Sequence, residues 1–385
     1  MERGERRVGK TSLANVLSDI FADRKLEHLH SVGVNCTTND DFRSIWRNVF
    51  HELHVDLDDQ WADVSPEAVR YVLQGLQHRT LIVIDEVDRL ENDEALTLLS
   101  DTVKTLSDHS VGATLVLVGV ADSVDELIGD HQSIERAVTQ VPMPRMSNVE
   151  LTGIVDKGLR RLRMTITDNA KTRIARLSEG LPHYTHLLSL HATQRAIMDD
   201  RSEVRDTDAT TAIQTAVQKA QHTIRTAYQR ATRSPRQDSL FERVLLACAL
   251  APKDELGYFT AGAVREPMTK IMGRHYEIPA FAKHLTDFTD EARGRVLQKT
   301  GRTRRSFYRF ENPILQPFVI LKGLSKGLIT EELVPKAPRR VRGDRRPSQR
   351  CHRGQIRLIA VDRGAEEGRA GTGRRPPRRP ARPPG

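Results

Sequence analysis

A chain of 385 residues has room for two or three domains with ample cores, and 38% hydrophobic against 29% charged residues is the balance of a soluble protein. Its longest uninterrupted apolar run, Val244 to Ala251, is far too short to span a bilayer, and the charged first residues lead into a loop motif and not into an apolar signal, so neither a membrane helix nor a secretory leader is expected. Three scattered cysteines, Cys36, Cys248 and Cys351, form no C-x-x-C pair and leave an odd count, which argues for a reducing, cytoplasmic setting without disulfides or structural zinc.

The first motif is Gly4-Glu5-Arg6-Arg7-Val8-Gly9-Lys10-Thr11, followed by Ser12, which reads G-x-x-x-x-G-K-T, the phosphate-cradling Walker A loop. Glycines let successive backbone N–H groups point at phosphate oxygens, Lys10 reaches the β- and γ-phosphates, and the Thr11 hydroxyl suits Mg²⁺. Residues 4–12 are therefore the candidate binding set for ATP. Leu13, Val16, Leu17, Ile20 and Phe21 recur at helical spacing, so the loop opens a helix whose N-terminal dipole also favours an anion.

Ser31 to Cys36 reads as a strand, and Asp41 to Leu53 follows with helical periodicity through Phe42, Ile45, Trp46, Val49 and Phe50. After a polar stretch, Leu81-Ile82-Val83-Ile84 has the profile of a strand buried on both faces of a parallel sheet, and it ends in Asp85-Glu86. A helix from roughly Asn92 to Thr105 leads to a second buried strand, Thr114 to Val120, ending in Ala121-Asp122-Ser123, and Ala137 to Met143 is a further strand position. Strands alternating with helices over residues 1–146 predict an α/β, doubly wound parallel sheet with its ligand at the carboxyl ends of the strands. An Asp at the tip of such a strand holds Mg²⁺ directly or through water, and a neighbouring Glu polarises the attacking water, which are the roles of Asp85 and Glu86.

With both Walker motifs, the Leu115–Ser123 strand and Ile134-Glu135-Arg136 before the next strand, the chain resembles an AAA+ P-loop ATPase, most closely the bacterial origin-recognition-like and TniB/ExeA types. The resemblance implies a γ-phosphate sensor at Asp122 or Ser123 and a trans-acting arginine finger at Arg136. It also implies that the strand entering Walker A lies centrally, between those at Leu115–Val120 and Ala137–Met143. Met1-Glu2-Arg3 extends at most about 11 Å and carries two charges, so the expectation is that Met1 is an internal start and that a further N-terminal segment supplies this strand.

From Ser147 to Thr232 the pattern is an all-helical lid, with capping signals at Ser147 plus Glu150 and at Thr167. Its Gly180-Leu181-Pro182-His183 segment is similar to the family's G-x-P-R turn, with His183 in place of the nucleotide-sensing arginine, which implies weaker, pH-dependent charge compensation and slow hydrolysis. Residues 239–330 follow in the order helix, helix, helix, hairpin, the order of a winged-helix domain. From Arg293 to Phe310 this segment carries Arg293, Arg295, Lys299, Arg302, Arg304, Arg305 and Arg309 without an acid, with Phe307 and Tyr308 interleaved, as a wing on a phosphate backbone would. The tail 335–385 holds sixteen Lys+Arg against four Asp+Glu, a charge of +12 that leaves −3 on residues 1–334, and its Arg/Pro-rich composition predicts disorder and non-specific attraction to nucleic acid. The expected protein is a Mg²⁺·ATP-binding, slowly hydrolysing homo-oligomer that touches DNA through the wing and tail. The alternative is a STAND-type regulatory switch acting on protein partners without DNA.

Overall fold

The computed structural model describes residues 16, 29–56, 64–119, 138–142, 145–235, 239–254, 257–302, 305–335 and 357–360. The Walker A residues 4–12, together with Asp122, Ser123 and Arg136, lie outside them.

Strands β1 (Leu29–Asn35), β2 (Arg79–Asp85) and β3 (Ala113–Gly119) are parallel neighbours, with Asn35 level with Asp85 and Ile84 level with Leu117. The middle strand, β2, is buried from Thr80 to Asp85, which is why its sequence is continuously apolar where an antiparallel strand would alternate. Helix α1 (Phe42–Glu52) is started by a reciprocal capping box between Asp41 and Ser44 and buries Phe42, Ile45, Trp46, Val49 and Phe50, one stripe at helical spacing. Those side chains share a core with Ile82, Ile84 and Leu115 of the sheet and with Leu99 and Val103 of α3 (Asp93–Asp108). The stretch between Leu53 and Leu81, polar by composition, contains a helix, α2 (Pro66–Gly75). Ser65 caps it and Pro66 starts it, but only Val69 and Leu73 continue its buried face, too narrow a stripe to stand out in sequence.

The sheet continues beyond β3 with β4 (Thr139–Pro142) on its far edge. Between β3 and β4 lies Arg357–Ala360, which pairs antiparallel with both: Leu358 is level with Val118 of β3 and with Val141 of β4. We number this last strand β10. The tail, expected from its composition to lack ordered structure, thus contributes one described strand, and this strand stands where the resemblance implies the strand leading into Walker A. Gln355-Ile-Arg-Leu-Ile-Ala-Val361 is an apolar island within an Arg/Pro-rich tail, and two flanking strands with open backbone groups reward any segment able to pair with both.

Residues 148–232 form five helices: α4 (Asn148–Arg161), α5 (Asp168–Leu177), α6 (Pro182–Met198), α7 (Asp206–Gln218) and α8 (His222–Thr232). Ser147 and Glu150 form the capping box of α4, and Thr167 caps α5. The region is not purely helical, because β5 (Thr165–Ile166) and β6 (Glu203–Val204) make a two-residue parallel pair that ties the α4–α5 and α6–α7 connections together. The C-terminal unit has α9 (Phe241–Leu250), β7 (Phe259–Thr260), α10 (Ala261–Met272), α11 (Ile278–Asp287), a hairpin of β8 (Leu297–Arg302) and β9 (Arg305–Phe310), and α12 (Leu315–Ser325). The sheet order is β7-β9-β8, and Arg302 pairs with Arg305, so Thr300-Gly301-Arg302 completes a strand. Helices α9 and α12 are buried nearly all round. They join α4 to α8 in one continuous core that runs from Val155 to Val334, so the polar stretch after Thr232 marks no break in packing.

Candidate nucleotide site

The carboxyl ends of β1 and β2 meet at Asp85 and Glu86. Asp85 is 5% exposed, its carbonyl accepts from the Cys36 N–H at 2.8 Å, and its Oδ1 accepts from the Glu86 N–H at 2.7 Å. Glu86 then leaves the strand with φ 59 and ψ 34, a left-handed conformation uncommon for a residue with a side chain, and a single 3₁₀ turn, Val87–Arg89, follows. This sharp exit separates the two carboxylates in environment: Asp85 stays in the sheet, while the Glu86 side chain is 44% exposed and its Oε2 accepts from Arg89 Nη1 at 2.7 Å. The parallel-sheet rule locates the pair from sequence. The Arg89 contact was not foreseen, and its one signal is the i, i+3 spacing of opposite charges.

Residues at the end of β1 complete the acidic character of this corner. Asp40 accepts from the Thr37 N–H, the Thr37 hydroxyl and the Ser44 hydroxyl, each at 2.7 Å. Burial would raise its pKa, but those three bonds win and hold the carboxyl below its ordinary value. The Cys36 thiol is pushed up to about 12, first by burial and then by the charges of Asp40, Asp85, Asp88 and Glu86. The carboxylates of Asp40, Asp85, Glu86 and Asp88 thus gather at the strand ends, with the Arg89 guanidinium on Glu86. Among the described residues no three His, Cys, Asp or Glu side chains converge to hold a metal by themselves. A buried carboxylate at a strand end, such as that of Asp85, fits Mg²⁺, which is ordinarily held by one or two carboxylates together with phosphate and water. Asp85 would provide the carboxylate.

His183 lies on a different element, in the first turn of α6, half-buried, with its ring edge-on to Tyr184 at 5.4 Å between centroids. The structure therefore brings Asp85 and Glu86 together and sets His183 on the helical unit.

Residues 3–128 match the family described as an AAA domain. The match covers about a third of the chain. The fold is the α/β parallel sheet of the P-loop AAA+ class, and the matched stretch contains residues Gly4 to Ser12, the Asp85-Glu86 pair and Asp122. No curated protein matches the sequence. Among solved structures, Cdc6p from Pyrobaculum aerophilum is similar at 14% identity with a TM-score of 0.43, over 85% of this chain and 87% of that one. The Drosophila ORC bound to DNA is 16% identical with a TM-score of 0.40, over 83% and 80%. The Thermotoga maritima RuvB Holliday junction branch migration motor is 14% identical with a TM-score of 0.37, over 79% and 81%.

The basic hairpin of the C-terminal unit is less open than its composition suggests. Arg309 is 6% exposed, packs over the Tyr258 ring at 4.6 Å and donates to Gln298 Oε1 at 2.7 Å. Arg293 lies over the Phe241 ring at 3.6 Å and donates to the carbonyls of Ala231 and Arg233. Tyr308 is buried and stacked on Phe259. These three residues face the core and are corrected out of the phosphate-facing set, because a guanidinium over an aromatic ring keeps its charge while burying its stem. Lys299 is exposed, Arg295 stands 3.9 Å from Glu291, and the side chains of Arg302, Arg304 and Arg305 lie outside the described residues.

Proposed function

We propose that the protein binds Mg²⁺·ATP in its AAA domain and uses the nucleotide state to control assembly with further copies and contact with DNA. The observation that carries the reading is the Asp85-Glu86 pair at the carboxyl end of the middle parallel strand, inside the stretch that matches an AAA domain. In this reading residues 4–12 cradle the phosphates, and Thr11 and Asp85 hold the cation that neutralises developing charge. Glu86 takes a proton from the attacking water once it has released Arg89. Asp122 senses the γ-phosphate, Arg136 reaches a neighbouring subunit's nucleotide, and His183 stands where an arginine would add a full positive charge, which supports slow, switch-like turnover.

The order of three helices and a hairpin in the C-terminal unit supports a winged helix whose tip, Arg302 to Arg305, meets the phosphate backbone, with residues 335–385 adding non-specific attraction. The domain limits are then 1–146, 147–232, 239–330 and 335–385, in a cytoplasmic protein of the origin-recognition-like or TniB/ExeA type. The STAND-type alternative, a switch on protein partners, gains support from Arg293 and Arg309, whose engagement with the core leaves fewer cations for DNA. Titrating the purified chain with ATP and Mg²⁺, then with duplex DNA at several salt concentrations, separates the two. Lys10→Ala is expected to abolish ATP binding. DNA affinity that falls steeply with salt supports the first reading, and ATP-dependent assembly without DNA binding supports the second.

A further inference from the structure

Three segments far apart in sequence meet at one polar node. Arg145 precedes α4, Glu179 lies in the turn between α5 and α6, and Gln316 is in the first turn of α12. Arg145 Nη1 donates to the Glu179 carbonyl at 3.1 Å and to Gln316 Oε1 at 2.8 Å. Gln316 Nε2 donates to Glu179 Oε2 at 2.9 Å and to the Ala249 carbonyl at 3.1 Å, and the Gln316 side chain is 0% exposed. Lys253 Nζ donates to the carbonyls of Ala249 and Ala251 at 2.7 and 2.8 Å and brings a positive charge to bear on Glu179. Gln316 thus gives its oxygen to the segment entering the helical unit and its amide to the turn within it.

The turn has little freedom apart from this node. Glu179 and Gly180 are both left-handed, with φ 50 and 78, and a Cβ on Gly180 would sit 2.7 Å from the Arg145 Cβ. The Met146 N–H donates to the Gly180 carbonyl at 2.9 Å on one side, and the Tyr184 hydroxyl donates to the Ile314 carbonyl at 2.8 Å on the other. His183 lies between these two attachments. A buried polar network whose members satisfy one another resists partial opening, because each group stranded without a partner carries its full desolvation cost.

We propose that Gln316 is a positioning residue for the lid turn that carries His183, so that a displacement of the C-terminal unit and a reorientation of that turn are one event. The consequence for ATP rests on the nucleotide reading above; the coupling itself does not. The test is amide hydrogen exchange over residues 178–184 of the full chain in the parent, Gln316→Leu, Gln316→Glu, and Gln316→Glu combined with Glu179→Gln, with ATP affinity measured on each. The two single changes at 316 are expected to speed exchange in the turn about tenfold or more, since the first removes the bridge and the second sets two carboxylates together. The double change is expected to return it close to the parent. There the introduced carboxylate accepts from Arg145 and from the introduced amide at 179, while Ala249 keeps Lys253 as its donor. Gln316→Leu is also expected to weaken ATP binding about fivefold, the scale of a coupling between sites.

Unchanged exchange in Gln316→Leu, or no rescue in the double variant, would overturn the proposal and leave Gln316 as packing. Faster exchange with an ATP affinity equal to the parent's would overturn the link from the turn to nucleotide. Exchange and rescue as expected in a chain that binds no ATP at all would uphold the positioning role and sink the nucleotide reading instead.

Discussion

Glu86 and Glu179 invite comparison, because both are acidic residues at the end of a regular element, both have positive φ, and both contact an arginine. Glu86 is bound by Arg89, three residues away on the same turn, and both side chains are about two-fifths exposed. Glu179 is bound by groups from positions 145 and 316, one of them wholly buried. A local, exposed ion pair holds its partners loosely and exchanges readily with water. A network drawn from distant segments fixes the segments to one another. The same residue type is therefore exposed in a local pair in one place and tied into a long-range network in the other, and the surroundings decide which.

Three measurements can break or sharpen that contrast. The largest effect is expected from Glu86→Gln, which should retain ATP binding while lowering hydrolysis 10²–10⁴-fold or so, because an amide cannot accept the proton of the attacking water. Turnover at the parental rate would show that Glu86 is not the base. A smaller effect separates Glu179. Burial raises the pKa of its carboxyl above the ordinary 4.5, against the opposing pull of Lys253, Arg145 and the Gln316 hydrogen bond. The folded chain then binds more protons at this site than the unfolded one, so the ionised group costs stability above its folded pKa, and that cost disappears as pH falls toward 4.5. Thermal melts of the parent and Glu179→Gln across this range should show the parent gaining on the variant with acidification. A constant difference would mean that the site does not feel its burial. The smallest effect belongs to Arg89→Ala, for which we expect no measurable change in melting temperature and hydrolysis equal to or faster than the parent's, as Glu86 is released. A tenfold loss of turnover would instead make Arg89 an orienting group.

The same contrast sorts what could be read in advance. The four apolar residues before Asp85 were legible because burial on both faces of a parallel sheet demands apolar residues at adjacent positions. The capping box of α4 was legible for the same reason, since both partners sit within four residues, whereas the Asp41–Ser44 box of α1 was not read in advance. Helix α2 escaped notice because a two-residue apolar stripe falls below what periodicity can separate from a polar loop. The charges of the C-terminal hairpin segment misled, because composition counts a guanidinium alike whether it faces water or lies over Phe241 or Tyr258.

By itself, then, the sequence determined local features of this protein: a G-x-x-x-x-G-K-T spacing, a strand ending in two carboxylates, and the alternation of strand and helix that places the ends of the strands side by side. Tertiary structure alone decided the rest. It placed Arg357–Ala360 beside β3 and β4, bound the helical and C-terminal units into one core, and joined Arg145, Glu179 and Gln316 across more than a hundred residues of chain. The physical reason is range. Turns, caps and strand burial are satisfied by neighbours a few positions away, whereas a buried hydrogen-bond network or an open sheet position is satisfied by whichever segment the folded chain brings to it, and spacing along the sequence carries no record of that choice.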